Sequence, residues 1–230
     1  MKKLSEKFLG GVIVAGLVLL AGCATSGSAS GSTSAPAVAA VTQATYPLSA
    51  AEGVQWDGWD ANPTTAYANP GGNDGPKGVA SYTILTTAPK SWGWGIVAQM
   101  SSVVNLSEFS QGHITFWLRS TYPGKLLVGF GTGTSDAGDN GFAYTELASG
   151  DAGFVNDGNW HQVTLAISAL KFWHKDGAQA PQAPDLTRVS APFFTADVFA
   201  SGGGYRGTRD TQDATNGQQI DVAGIEWTRS

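Results

Sequence analysis

The amino-acid sequence predicts an all-β chain folded as a two-sheet β-sandwich. Three observations lead there. Apolar residues come in short runs that alternate with polar ones, as in Ile114-Thr115-Phe116-Trp117-Leu118-Arg119, and a strand sends successive side chains to opposite faces. The runs are separated by clusters of Asn and Asp with many of the 31 Gly and 10 Pro, residues that suit turns. The three-to-four-residue apolar spacing of an amphipathic helix is scarce. A chain of 230 residues holds one such domain and a tail.

Composition narrows the partners. Only 13% of residues are charged and the formal charge is −5. Removing Met1–Gly22 takes away three Lys and one Glu and leaves 10 basic against 17 acidic residues, near −7. That balance argues against nucleic acid and against an electrostatic grip on anionic lipid. Cys23 is the one cysteine, so there is neither an intramolecular disulfide nor a cysteine metal cluster.

At the amino terminus Lys2, Lys3 and Lys7 precede the apolar run Phe8–Leu20, which ends in Leu20-Ala21-Gly22-Cys23. This describes a secretory signal over residues 1–22, shorter than the ~20 apolar residues of a membrane-spanning helix. A cysteine just after small residues resembles the lipobox of bacterial lipoproteins. The resemblance implies that Cys23 is lipid-modified as the first residue of the mature chain. Ala24 follows it rather than Asp, which by analogy with Gram-negative sorting implies the outer membrane. Residues 23–45 are mostly Ala, Ser, Thr and Gly, too poor in large apolar groups to offset ordering entropy. They read as a flexible tether with a reach of roughly 25 Å, and the folded domain is expected over 46–230.

Within the domain, Val54 and Trp56 start a first strand before the Pro/Gly/Asn stretch Ala61–Gly78, which reads as a long loop. Val79–Thr86 is the next strand. In Lys90–Met100, Trp92 and Trp94 share a face, and Gly93 and Gly95 leave the other bare. The central strand places Ile114, Phe116 and Leu118 on an apolar face and Thr115, Trp117 and Arg119 on a mixed one. Pro123-Gly124 turns the chain into Lys125–Thr132, and Gly133–Gly141 is a loop. Phe142–Leu147 is a strand on which Tyr144 and Glu146 share a face. Asp157-Gly158-Asn159 is a turn before the strand Trp160–Ser168. Ala169–His174 reads as one helical turn and Gln179–Pro184 as a loop. Pro192–Phe199 and Gln218–Thr228 are the last strands, separated by a long loop carrying Tyr205, Arg206 and Arg209. About nine strands result, the last paired with an early one.

With these strands in place a family resemblance emerges. Its residues are Asn105-Leu106-Ser107-x-Phe109, Gly112-x-Ile114-x-Phe116-x-Leu118-Arg119-Ser120 and Gly158-x-Trp160-x-x-Val163-x-Leu165-x-Ile167. Pro192-Phe193 and Ile220-Asp221-x-x-x-Ile225-x-Trp227 complete them. In this order they resemble the galactose-binding-like jelly-roll domains that include many carbohydrate-binding modules, over about Glu52–Arg229. Asp157-Gly158-Asn159-Trp160-His161 also looks like a laminin-G-type sequence, so a concanavalin-like sandwich is the alternative fold.

The resemblance implies a non-catalytic domain that binds a polysaccharide or oligosaccharide, displayed at the cell envelope either alone or beside a polysaccharide-degrading enzyme. Glycan recognition needs aromatic platforms and planar polar groups, and eight Trp supply an ample choice. Trp94, Arg119 and Tyr205 head the candidates, with Trp92, Trp117 and Tyr144 beside them and Trp59 and Trp173 as further platforms. Related jelly rolls often hold a structural calcium between opening and closing strands. That would involve Asp221, with Glu52 or Asp57 as partner, since calcium seeks six to eight oxygens.

Two other classes are weighed. A sandwich hydrolase needs two carboxylates on a shared face, and no Glu-x-Asp-x-x-Glu run surrounds Asp221. A lyase needs a Tyr or His base, and no lyase motif surrounds His113, His161, His174 or Tyr205. No GxSxG elbow, phosphate loop or dinucleotide fingerprint is present. A structural or protein-binding envelope lipoprotein is the remaining alternative.

Overall fold

The computed structural model describes residues 37–59, 61–64, 76, 81–86, 95–133, 141–174, 183–197 and 219–230. The signal segment, Cys23, Trp92, Trp94, Tyr205, Arg206 and Arg209 lie outside the described residues.

Twelve strands are present among the described residues. They are β1 (Thr45–Pro47), β2 (Val54–Trp59), β3 (Ala61–Thr64), β4 (Ser81–Thr86), β5 (Gly95–Met100), β6 (His113–Ser120) and β7 (Leu126–Thr132). After these come β8 (Gly141–Leu147), β9 (His161–Ala166), β10 (Lys171–His174), β11 (Val189–Asp197) and β12 (Gln219–Thr228). They form two antiparallel sheets. The first runs β3-β4-β12-β6-β9, with β1 also on β12; the second runs β10-β8-β7-β11-β5-β2. The all-β sandwich expected from the alternating runs is the fold.

The alternation of β6 translates directly into burial. Ile114, Phe116 and Leu118 are buried, and His113, Thr115, Trp117 and Arg119 only partly so. In β12 the buried set changes parity, from Ile220 and Val222 to Ile225 and Trp227. A bulge between Ala223 and Glu226 makes the change. Gly224 takes it up at φ +55°, in the left-handed region open to glycine. Both halves of the strand therefore feed the core.

Aromatic rings join the sheets across that core. Phe116 of β6 meets Phe193 of β11 edge-on at 5.1 Å. Trp227 of β12 meets Phe130 of β7 at 4.8 Å. The Trp227 indole N–H donates to the Pro192 carbonyl at 3.0 Å, so its polar edge is not stranded. Burying side chains of this size contributes roughly 1.5–3 kcal/mol each.

Three expectations change. Ala61–Thr64 is an edge strand rather than loop, and its Pro63 is tolerated because an edge needs no second hydrogen-bonded neighbour. Lys171–His174 is strand β10, and the tight turn is confined to Ile167–Ala169. Strand β11 opens at Val189, ahead of the expected Pro192. Residues Ala37–Ser230 form one compact unit. Val41 N–H donates to the Asn105 carbonyl at 2.9 Å, and the Asn105 side-chain amide donates to the Val38 carbonyl at 2.8 Å. Arg229 Nη2 donates to the Val41 carbonyl at 2.9 Å. The composition of this stretch is that of a linker, but the backbone groups of Val38, Val41 and Ala44 are hydrogen-bonded to Asn105 and Arg229.

Candidate functional site

Of the candidate residues, Arg119 and Trp117 stand on the outer face of the first sheet, as the alternation predicts. Cross-strand register sets Thr83, Asp221 and Arg119 side by side on β4, β12 and β6. Arg119 Nε donates to Asp221 Oδ2 at 2.8 Å. Thr83 Oγ1 donates to Asp221 Oδ1 at 2.8 Å, and Gln219 Nε2 reaches both oxygens at 3.0 and 3.2 Å. The guanidinium also stacks on Trp160, 4.7 Å from its ring centroid. Asp221 is 2% exposed and the Arg119 side chain 23%. Trp117 lies in the next row, between Ala223 and Gln162, and is half-buried.

Tyr144 stands on the opposite side of the sandwich, on the outer face of the second sheet. A row crosses that sheet as Lys171, Tyr144, Gly129, Phe194, Val97 and Asp57, each opposite the next. The neighbouring row sets Trp173 opposite Phe142, and Phe142 opposite Gly131. Trp173 and Phe142 stack at 5.9 Å with 27° between planes. Phe142 meets Phe194 edge-on at 5.8 Å. Leu127, Phe194 and Ala196, with Val97, Phe142 and Tyr144 against them, form an apolar cluster separate from the main core. From β10 to β11 this patch is about 14 Å across, three inter-strand spacings.

Two glycines of β7 shape it. At Gly129 a Cβ would fall 1.9 Å from the Ala143 carbonyl oxygen, so only glycine lets β8 approach this closely. At Gly131 a Cβ would meet Ala191 at 3.2 Å and the Phe142 ring at 3.6 Å. Polar groups rim the patch. Lys171 and Asp57 are exposed at the two ends of the row. Lys125 Nζ pairs with Glu146 Oε2 at 3.0 Å along one side.

The structure does not bring the calcium candidates together. Glu52 is exposed in the turn Ala50–Glu52, Asp57 lies on the outer face of the second sheet, and Asp221 lies on that of the first. Asp57 Oδ1 accepts the N–H of Gly58 at 2.8 Å. Both oxygens of Asp221 accept bonds from Arg119, Thr83 and Gln219, one of them cationic. That donor set does not fit a calcium ion, which needs oxygens around it. Among the described residues no three acids, histidines or cysteines converge.

Nor do the histidines converge. His161 Nε2 bonds Asp157 Oδ1 at 2.8 Å in the exposed turn before β9. That bond first, and the Asn159 amide second, hold the Asp157 carboxyl down at about 2. His113 opens β6 and His174 closes β10, on different sheets.

Phe142, Phe194 and Lys171 were not among the candidates. Phe142 shares the two-residue spacing of Tyr144 and Glu146, which was a usable signal. Lys171 and Trp173 share a face only because Lys171–His174 is a strand, and four residues carry too short a pattern to show it.

Comparison with solved structures places the fold. The family 11 carbohydrate-binding module of the cellulosomal cellulase Lic26A-Cel5E of Clostridium thermocellum has a TM-score of 0.52 at 13% identity, covering 83% of this chain and 97% of that one. The family 30 carbohydrate-binding module of the cellulosomal cellulase Cel9D-Cel44B of Clostridium thermocellum also has a TM-score of 0.52, at 11% identity, covering 80% and 94%. At such identities the likeness is one of fold, and it bears out the resemblance to jelly-roll carbohydrate-binding modules at that level. No protein-family model and no curated protein matches the chain.

Proposed function

We propose that this domain binds a carbohydrate on the outer face of the second sheet and performs no catalysis of its own. The observation that carries the reading is the partly exposed aromatic patch of Trp173, Phe142 and Tyr144, backed by the buried Phe194 and rimmed by Lys171, Asp57 and the Lys125–Glu146 pair. Sugar C–H faces pack on aromatic rings, and sugar hydroxyls exchange hydrogen bonds with charged and planar polar groups. The likeness in fold to two carbohydrate-binding modules supports it. Arg119, by contrast, is committed to Asp221 and Trp160 on the other side of the molecule.

In the same reading Cys23 carries lipid and the domain is held at the cell envelope, at the outer membrane. There it retains polysaccharide near the cell or assists a polysaccharide-degrading enzyme. The basic start, the apolar run and the single cysteine after Gly22 support this.

The test uses residues 37–230 in affinity electrophoresis against a panel of soluble polysaccharides, β-glucans included. Retardation by a polysaccharide, without release of reducing ends, is expected. Retardation with depolymerisation would overturn the non-catalytic part and direct attention to His113, His161 and His174. Migration unchanged by every glycan would overturn the whole reading in favour of a structural or protein-binding role. Incorporation of a labelled fatty acid, lost in Cys23→Ser, tests the anchor separately.

A further inference from the structure

We infer that Arg119 acts as the built-in cation of the closing strand, performing for Asp221 what a structural calcium would otherwise do. Three pieces of chain remote in sequence meet at Asp221: Thr83 of β4, Arg119 of β6, and Gln219 with Asp221 itself on β12. A carboxylate at 2% exposure is costly unless its charge is balanced and its lone pairs are filled. The balancing charge here is a guanidinium 2.8 Å away, and the remaining acceptor positions take the Thr83 hydroxyl and the Gln219 amide. A divalent ion at Asp221 would have to displace N–H and O–H donors and stand against a fixed positive charge. Arg119 is itself oriented by the Trp160 ring 4.7 Å away, so the pair also ties the turn before β9 to the centre of the first sheet. The brace is covalently part of the chain and cannot be removed by a chelator.

The experiment is thermal unfolding of the domain, residues 37–230, in EDTA and in excess calcium chloride, for wild type, Asp221→Asn, Arg119→Lys and Arg119→Gln. Asp221→Asn and Arg119→Gln are expected to lower the melting temperature by on the order of 10 °C, since each strands one partner of a largely buried pair. Arg119→Lys keeps the charge and is expected to lose clearly less than Arg119→Gln. The difference between EDTA and calcium is expected to be the same in wild type and Asp221→Asn, and calcium is expected not to restore Arg119→Gln. A chelator response that vanishes in Asp221→Asn would overturn the inference, as would restoration of Arg119→Gln by calcium or equal stability of the Lys and Gln variants. Should Asp221→Asn fail to fold, the two Arg119 variants decide the matter alone. None of these outcomes depends on glycan binding.

Discussion

Thr195→Val should stabilise the domain. Thr195 lies on β11, 1% exposed, with Ile96 of β5 and Val128 of β7 as its cross-strand neighbours. Both are core residues, so its side chain points between the sheets. Among the described residues its hydroxyl has no hydrogen-bond partner. A hydroxyl taken from water into such a place without a partner costs roughly 1–3 kcal/mol. Valine has nearly the same shape, branches at the same atom and is equally at home in a strand, so the swap removes the cost without opening a cavity. Taking the lower end of the range, we expect a gain of about 1 kcal/mol, a rise in Tm of about 2–4 °C. Urea unfolding followed by tryptophan fluorescence would show it. With a slope near 2 kcal/mol/M, the midpoint should rise by about 0.5 M at unchanged slope. A midpoint that falls would refute the reasoning, because it would mean that the hydroxyl makes a bond that valine cannot replace.

Three further outcomes follow from the same geometry. Gly129→Ala must push β8 away from β7, because the new Cβ would sit 1.9 Å from the Ala143 carbonyl oxygen; a loss of about 2 kcal/mol in urea unfolding is expected. Tyr46, buried against the core and near Glu52, has its phenol pushed up to about 12, burial being the larger cause. Its contribution to stability is therefore whole below the unfolded value of about 10 and lost as pH rises through 12, so an absorbance titration should show a tyrosine step near pH 12 that Tyr46→Phe removes. Asp157, held at about 2 by His161 and Asn159, contributes stability present above the ordinary carboxylate range and lost as pH falls from about 4 through 2; Asp157→Asn should flatten that part of the acid unfolding curve.

Much of the fold was legible from alternation alone. The face pattern of β6 and β7 follows residue by residue, and so does the pairing of the closing strand with an early one. What escaped had physical reasons. Strands β3 and β10 are four residues long, below the length at which period-two patterning stands out. The stretch after Ala37 has a linker's composition, and its partners Asn105 and Arg229 are far away in sequence. For the candidate site, side-chain type was informative and register was not. Arg119 and Trp117 were correctly set on an outer face, but the partner of Arg119 is 102 residues away on a strand whose register includes a bulge. Tyr144 was found by type, while its neighbours Trp173 and Phe194 needed the strand order β10-β8-β7-β11 to come beside it.

The central claim is that the aromatic face of the second sheet holds the glycan. The most direct measurement is affinity electrophoresis, on whichever polysaccharide retards the domain, of Trp173→Ala, Tyr144→Ala and Trp117→Ala. By analogy with ring stacking on nucleic-acid bases, each of the first two should weaken binding by roughly 1–3 kcal/mol, or about 5- to 150-fold, with the melting temperature largely kept. Trp117→Ala, on the opposite side of the sandwich, should bind as wild type does. Loss of binding in Trp117→Ala, with Trp173→Ala and Tyr144→Ala unaffected, would contradict the claim and move the site to the face that carries Arg119.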